Sequence, residues 1–588
     1  MNDPGKPKAY FIGEGWGCNI RSGFSCEADL VIQADSINQI IPALQELEKQ
    51  THNGWTAFGY IAYEAAAAFG LPINPNPSGH PLLLWFGLCK ANSIQQIEIS
   101  DLPLYSEDYL PTEFKLNLTE ECYTRTIAQI KQHIERGETY QVNYTIRASC
   151  SGVESGLELF SNLYRAQPVP YAACIQTDDW QIHSLSPELF LNKHGRLITS
   201  RPMKGTISRG LTPDQDKHKI EQLKQSAKDQ AENIMILDMV RNDLGRICQS
   251  GSVHSHNICQ VERYRSLFHL TSSVQGELSE NVTLTDIFQA AFPAASITGA
   301  PKHRTMEIIR NYEDSPRSVY CGAIGLIKPD GDFTFNVAIR TMHGSKSEYT
   351  MGVGGGIVWD SDAQMEYEEV KTKMAFARKQ PAEFQIIETL RLNQNGDYLF
   401  LDEHLKRLSA SAKYWDYPYD KNNAHNTLLE YAKSKTDRPA TIRIALDAQG
   451  GITMTHRPIT QPPSDLRIQI SSTTIDSNDV FLYHKTTNRT LYNNARAAGL
   501  KQGFFETIFV NQHNHITEGC ITNIFYRIGD VWYTPPLEDG LLPGIWRNQF
   551  MLETNATEKS ITPEKLKAAD QIIIGNSVSG SFIVNQID

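Results

Sequence analysis

The stretch SRPMKGTISRG, Ser200 to Gly210, sets a lysine between a proline and a Gly-Thr pair. Arg201 and Lys204 are close together in a strand-then-turn context, so each disfavours the other's charge if both enter one cavity. A lysine beside a glycine is also an ordinary solvated turn residue, and this stretch alone does not decide. Glu232, beside Ala231 and Ile234, lies at the edge of an apolar helical face, where an unpaired carboxylate is costly. Glu369 and Lys373 are four apart on a second helical pattern, a spacing that equally makes a surface ion pair. Two carboxylates on two helices, completed by substrate oxygens, suit Mg2+, which takes few protein ligands and keeps water. The glycines of MGVGGGIVWD let backbone N–H groups approach an anion, although the run lacks dinucleotide-fingerprint spacing and a flexible turn explains it as well. Arg340, after the apolar FNVAI, can grip a carboxylate with both arms or join a structural ion pair.

Farther along, Lys485 precedes two threonines, and Glu518 follows it by 33 residues beyond an apolar strand pair. A lysine that forms an imine, with a carboxylate opposite the pyridinium nitrogen, is what pyridoxal phosphate uses. A surface lysine is the plain alternative.

The elements that must position these residues fall into two modules. A helical pattern ends in ARKQPAEFQ, whose proline it would not continue through, and a strand, QIIETLRL, begins after it. The boundary expected near Pro381 gives modules over 1–380 and 384–588. In the first, apolar runs such as AACIQT, QIHSLS and FTFNVAIRTM alternate with helical segments, which predicts an α+β fold with extensive sheet. KIEQLKQSAKDQAENIMILDMV reads as one helix with Ile220, Leu223, Ala227, Ala231, Ile234 and Leu237 inward. SDAQMEYEEVKTKMAFARK reads as another, burying Ala363, Tyr367, Val370 and Met374.

With 588 residues and 40% apolar composition the chain can build large cores. A net charge of -12 argues against general affinity for nucleic acid or anionic membranes. The start has no apolar signal region and no run is long enough to span a bilayer, so a cytoplasmic protein is expected. The ten cysteines form no CxxC pair, which argues against a disulfide framework or a zinc ribbon.

Taken in order, SLSPELF, RPMKGT, AENIMILDMVRNDLGRIC, FHLTSSVQGEL, SITGAPK, VYCGAIG, AIRTM and EYEEVKTK resemble the chorismate-utilising enzymes, strongly over residues 120–378 and weakly over the N-terminal hundred. The resemblance implies a β-sandwich-like core flanked by helices, with Glu232 and Glu369 holding Mg2+ against the ring carboxylate of chorismate. It implies Tyr320, Arg340, Lys373 and the amides of Gly354, Gly355 and Gly356 at the enolpyruvyl carboxylate, with Ser296 in the same pocket. It also implies Glu188 and His269 as acid/base groups near the departing C4 hydroxyl. Within this family, Pro-x-Lys-Gly-Thr resembles the aminodeoxychorismate synthase component I branch. There the lysine attacks C2 and displaces the C4 hydroxyl, and ammonia then attacks C4 and expels the lysine. Anthranilate synthases usually have alanine at that position. Attack needs the neutral amine, so desolvation and cations such as Arg201 are expected to draw Lys204 below the ordinary value of about 10.4. No segment carries the cysteine nucleophile elbow and His-x-Glu pair of a glutamine amidotransferase, so a separate glutaminase subunit is the expected partner, supplying ammonia.

ETLRLNQNGDYLFLDEHLKRLSASAKYW, HKTTNRTLYNNARAAG, FFETIFVNQHNHITEGCITNIFY, YTPPLEDGLLPGIWR and IIIGNSVSG resemble the fold-type IV pyridoxal-phosphate enzymes, which include aminodeoxychorismate lyase. This implies a smaller α/β domain with Lys485 as Schiff-base lysine and proton carrier, Glu518 at the pyridine nitrogen and Arg407 at the phosphate. Thr522, Asn523, the amides of Ile545 and Trp546, and Ser577 match positions around phosphate and ring. Trp546 stands where a threonine often follows Gly-Ile, and the strands that usually precede ETL are missing. Together the resemblances imply a bifunctional route from chorismate to 4-aminobenzoate, a folate precursor. A rival keeps the first fold but makes anthranilate, against which Lys204 speaks, and treats the second module as an amino-acid aminotransferase or a non-catalytic appendage.

Overall fold

The computed structural model describes residues 6–588 apart from 75–81, 105–110, 112, 152–155, 266, 346–347, 379–383, 436 and 460–462, so Pro381 lies outside the described residues. The chain divides into two units, Met1–Ser208 with Ile220–Pro381, and Arg209–Lys219 with Ala382–Asp588.

The first unit is built on two ten-stranded antiparallel sheets. Strand alternation sets the layers. Ala9 and Phe11 of Lys8–Ile12 meet Phe58 and Tyr60 of Thr56–Ile61 between the sheets. The intervening Tyr10 and Ile12 turn to one outer layer of helices, and Ala57 and Ile61 to the other. Because both faces of these strands are covered, TAFGYI and LWFGLC are buried at every position, and side chains of alternating direction give no polar alternation in sequence. The helix-flanked sandwich implied by the family resemblance is the observed architecture.

One expected helix is two. Pro213–Gln225 stops before Ser226, and a second helix runs over Ala227–Gly245. Ser226 is extended, its Oγ accepts the Asp229 N–H at 3.3 Å and its hydroxyl donates to the Asp229 carboxylate. An N-cap serine satisfies orphan amides at a helix start and so begins a new axis. The inward stripe shifts accordingly. Asn233, Ile236, Leu237, Val240 and Leu244 are buried, whereas Ile234 is 45% exposed. The helix Ala363–Met374 buries Tyr367 and Val370 as expected.

The second unit holds a three-stranded antiparallel sheet over Ile386–Leu392, Ala440–Leu446 and Ile452–Pro458, and two mixed sheets of four and five strands. Residues Arg209–Lys219 join it. Arg209 pairs with Asp216 and lies 4.1 Å over the Tyr414 ring, while the Tyr414 hydroxyl donates to the Gly210 carbonyl at 2.7 Å. No helix among the described residues is long and apolar enough to cross a membrane.

Candidate active sites

Lys204 lies on the strand Met203–Ser208, which pairs with Leu267–Glu277 through Met203 opposite Thr271 and Thr206 opposite His269, with a register shift between. The shift is a bulge, and a bulge re-aims the side chain it carries. Gly205 takes φ 92 there, and a β-carbon at this position would sit 2.9 Å from Asp229, so glycine serves both conformation and space. Asn233 fastens the capped helix to the bulge by donating to the carbonyls of Lys204 and Leu270, each at 3.1 Å. One turn of that helix therefore brings Glu232 to 3.9 Å from Lys204 Nζ.

Arg201, expected to set a second positive charge against Lys204, is instead engaged by a carboxylate. It pairs with Glu262 at 3.2 Å, which answers its charge. The groups around Lys204 are instead carboxylates and an amide. Glu188 is buried, and burial pushes its carboxyl up to about 7 against the opposing pull of Ser296, the Met203 N–H and Lys204. His269 receives or gives a hydrogen bond at 2.7 Å to the Thr206 hydroxyl, and burial, followed by the charges of Arg340 and Lys373, pulls it down to about 3. His269 is thus a neutral imidazole whose buried Nε2 has no partner among the described residues.

The glycine run is a strand, not a flexible turn. Glu348–Ile357 pairs along its length with Gln141–Ser151. Its other neighbour, Thr341–Gly344, reaches only Met351 in register, which leaves the opposite edge beyond it unpaired among the described residues. Arg340 explains the early divergence: it interrupts the expected FNVAIRTM strand at φ 49. Burial brings its guanidinium down to about 10, and Nη1 is buried without a partner. Tyr320 packs on Gly352, where a β-carbon would be 1.9 Å from its ring. Lys373 donates to the Gly354 carbonyl at 2.7 Å and pairs with Glu369 at the same distance. Strand amides, a guanidinium with an unanswered Nη1 and a phenol are the kinds of group that could receive a carboxylate.

Burial, then the charges of Asp229 and Glu369, raises Glu232 against the pull of Lys204 and Lys228, while Lys373 holds Glu369 low despite burial. Two neighbouring carboxylates suit Mg2+, which takes few protein ligands. No group of three His, Cys, Asp or Glu side chains poised for a metal is assembled among the described residues.

In the second unit Lys485 is half-buried, and desolvation of its amine, then the charges of Arg489 and Arg407, draw it down to about 7. Burial pushes Glu518 up to about 8, and Asn523 donates to it at 3.2 Å. An amine drawn toward neutrality, within the charge field of the buried Glu518 carboxyl, fits a cofactor that takes an amine at one end and a pyridinium at the other. Arg407 forms a fork on Glu388, with both contacts at 2.8 Å, and donates to Pro543. This fixes its plane and leaves N–H groups for a phosphate. The helix Ile545–Thr554 begins at Gly544, so the Ile545 and Trp546 amides have no helical acceptor. Thr522 spends its hydroxyl proton on Glu506 at 3.0 Å, and Ser577 is half-buried in the turn between two strands.

The profile of the chorismate binding enzymes matches residues 5–379. The chain belongs to that family. Among curated relatives, aminodeoxychorismate synthase component 1 of Bacillus subtilis (strain 168) is 38% identical over 304 residues, which cover 51% of this chain and 64% of the relative. Anthranilate synthase component 1 1 of Haloarcula marismortui is 37% identical over 286 residues, 49% of this chain and 58% of that one. The chain thus spans less than two thirds of the length of these relatives. Anthranilate synthase component I from Streptococcus pneumoniae TIGR4 superposes with a TM-score of 0.51 at 23% identity, covering 64% of this chain and 93% of its own. The menaquinone-specific isochorismate synthase from Escherichia coli gives 0.53 at 18%, with coverages of 65% and 90%. These two establish a shared fold. The amino-transferase class IV profile matches residues 385–587, a class that implies pyridoxal phosphate.

Two residues beside the chorismate-family site escaped the sequence reading. Gln141 is fully buried with neither amide atom partnered, and its Nε2 lies near Lys204, since a β-carbon on Gly356 would be 2.5 Å from the one and 2.4 Å from the other. Glu366 lies within the charge field of Glu369 and 3.1 Å from where a Gly355 β-carbon would be. Glu366 was visible as the first acid of EYEE, three before Glu369, which places both on one helical face. Gln141 had no local signal.

Proposed function

We propose that the chain is a bifunctional cytoplasmic enzyme that converts chorismate to 4-aminobenzoate, with residues 1–380 and 384–588 as its two catalytic modules. In the first, the Lys204 amine bonds to C2 of chorismate as the ring double bonds shift and the C4 hydroxyl departs. Glu188, protonated below about pH 7, gives that oxygen its proton, so water leaves. Ammonia from a separate glutamine amidotransferase subunit then bonds to C4 and the Lys204 bond breaks in reverse, releasing 4-amino-4-deoxychorismate. Neutral His269 orients the oxygen by hydrogen bonding, and Arg340, Lys373, Tyr320 and the Gly354–Gly356 amides hold the enolpyruvyl carboxylate. Mg2+, held by Glu232 and Glu369, would polarise the ring carboxylate.

In the second module Lys485 moves the C4 proton, pyruvate leaves and the ring becomes aromatic. Pyridoxal phosphate, when bound, would supply the electron sink for that proton loss; Glu518 would meet its ring nitrogen, and Arg407 with the amides of Ile545 and Trp546 would hold its phosphate.

The observation that carries the reading is Lys204 on its bulge, between the buried acid Glu188 and the carboxylate Glu232. Anthranilate formation needs no such amine. The full chain is given chorismate, Mg2+, an ammonium salt at high pH and pyridoxal phosphate, and products are weighed by mass spectrometry. 4-Aminobenzoate with pyruvate is expected, and Lys204→Ala should abolish both. Anthranilate from the unaltered chain would overturn the assignment.

A further inference from the structure

The second unit gathers, on one sheet face, arginines without an acidic ion-pair partner among the described residues. In its three-stranded sheet, Arg391 is opposite Thr441, which is opposite Arg457, while Arg443 is opposite Thr389 and Thr455. Directly opposed residues of antiparallel strands share a face, as do residues two apart. Arg391, Arg443 and Arg457 therefore project from one face. The other face carries Leu390, Ile442 and Ile444 into the core.

None of the three pairs with an aspartate or glutamate among the described residues. Among the described residues Arg391 donates to the Val578 carbonyl alone, at 3.3 Å, and its Nε is buried without a partner. Arg489 adds a fourth guanidinium, donating to the Cys520 carbonyl and likewise leaving a buried Nε unpartnered. Burial, then Arg489 and Arg457, push the Arg443 guanidinium below its ordinary value, so these cations are near neighbours. Arg489 also acts on Lys485, which ties the arginine face to the reactive lysine. Gathered like charges repel, and only an anion relieves them.

Resting on the lyase reading above, we infer that Arg391, Arg443, Arg457 and Arg489 form the subsite for the two carboxylates of a dianionic cyclohexadiene substrate whose amine is at Lys485. Guanidinium forks match carboxylates in pairs. The same arrangement favours product release. Elimination turns one dianion into pyruvate and 4-aminobenzoate, each a monoanion that can satisfy only part of the arginine set.

The test uses the full chain loaded with pyridoxal phosphate, titrated calorimetrically with 3-(carboxymethoxy)benzoate, which carries a ring carboxylate and an ether-linked carboxylate. Its comparator is the monoanion 3-methoxybenzoate. The dianion should bind at least about tenfold more tightly, and Arg443→Ala or Arg457→Ala should weaken it by about tenfold to hundredfold. Both residues are exposed on their strands, so folding is not at risk. The pyridoxal absorbance band should be unchanged. Equal binding of dianion and monoanion, unaltered dianion binding in both variants, or loss of the cofactor band in them would each overturn the subsite, the last by giving the arginines to the cofactor. Pyruvate release from supplied 4-amino-4-deoxychorismate separates the two readings. Release with an unchanged KM in both variants sinks the subsite alone. Dianion binding that depends on the arginines, with no release by the unaltered chain, sinks the elimination and leaves the dianion site standing.

Discussion

Gly356→Ala tests the geometry around Lys204 without removing any reacting group. Gly356 is not among the glycines with positive φ, so alanine can adopt its backbone. The added methyl would be 2.4 Å from Lys204 Nζ and 2.5 Å from Gln141 Nε2. An ordinary contact needs about 3.5 Å, so the lysine amine must retreat by about 1 Å. Both clashing atoms are ends of flexible side chains, which puts the folding cost near the lower end of the ~1–3 kcal/mol expected for overpacking. Displacing a nucleophile by about 1 Å costs on the order of 100-fold in rate. The assay follows chorismate loss with Mg2+ and ammonium, alongside the denaturation midpoint and pyruvate release from supplied 4-amino-4-deoxychorismate as an internal control for the second unit. Gly355→Ala is the graded comparison, because its methyl would be 3.1 Å from Glu366 and 3.7 Å from Lys373, contacts that a small shift relieves. Expected are a large loss of amination in Gly356→Ala, a smaller one in Gly355→Ala and unchanged pyruvate release in both. Amination at the unaltered rate in Gly356→Ala, in a protein of unchanged stability, would refute the placement of Lys204 at the reacting centre.

Two further predictions concern pH and folding. Burial raises Glu188 from 4.5 to about 7, so the fold holds a proton there that the unfolded chain loses. Its stability contribution is complete below 4.5 and lost as pH rises through about 7. At constant free ammonia, kcat/KM for amination should fall through the same range, and Glu188→Gln should abolish that limb along with most activity; an unchanged limb would remove Glu188 from the acid role. Ser226→Ala removes the helix cap and should cost about 1 kcal/mol in denaturant unfolding, with weakened Mg2+ dependence because the frayed turn precedes Glu232.

Much of this was legible in the sequence, for uneven reasons. Ordered motifs carried the family, and the sandwich with its helices came with it. Local periodicity served Ala363–Met374 but ran through Ser226, because a capping serine inside an apolar repeat looks like any polar residue until its amide partner is seen. Arg201 beside Lys204 suggested repulsion, yet Glu262, some sixty positions away, takes the arginine. Strand register was the deeper obstacle. Arg391, Arg443 and Arg457 are scattered in sequence and adjacent only once three strands align. Gln141 stands out only because it is buried with nothing to bond.

Residues Arg209–Lys219, flanked on both sides by the first unit yet counted with the second, bear on how the chain is made and how its gene could divide. Arg209 meets Tyr414, 205 residues later. At about 5–20 residues per second, translation keeps that partner away for roughly ten seconds or more. During that interval the stretch between the strand of Lys204 and the helix of Glu232 is waiting for chain not yet synthesised. A gene split at the module boundary would make the wait permanent, giving a first product that carries an orphaned piece of the second. In such a split, residues 209–219 would lose the contacts with Tyr414 that hold them in this chain.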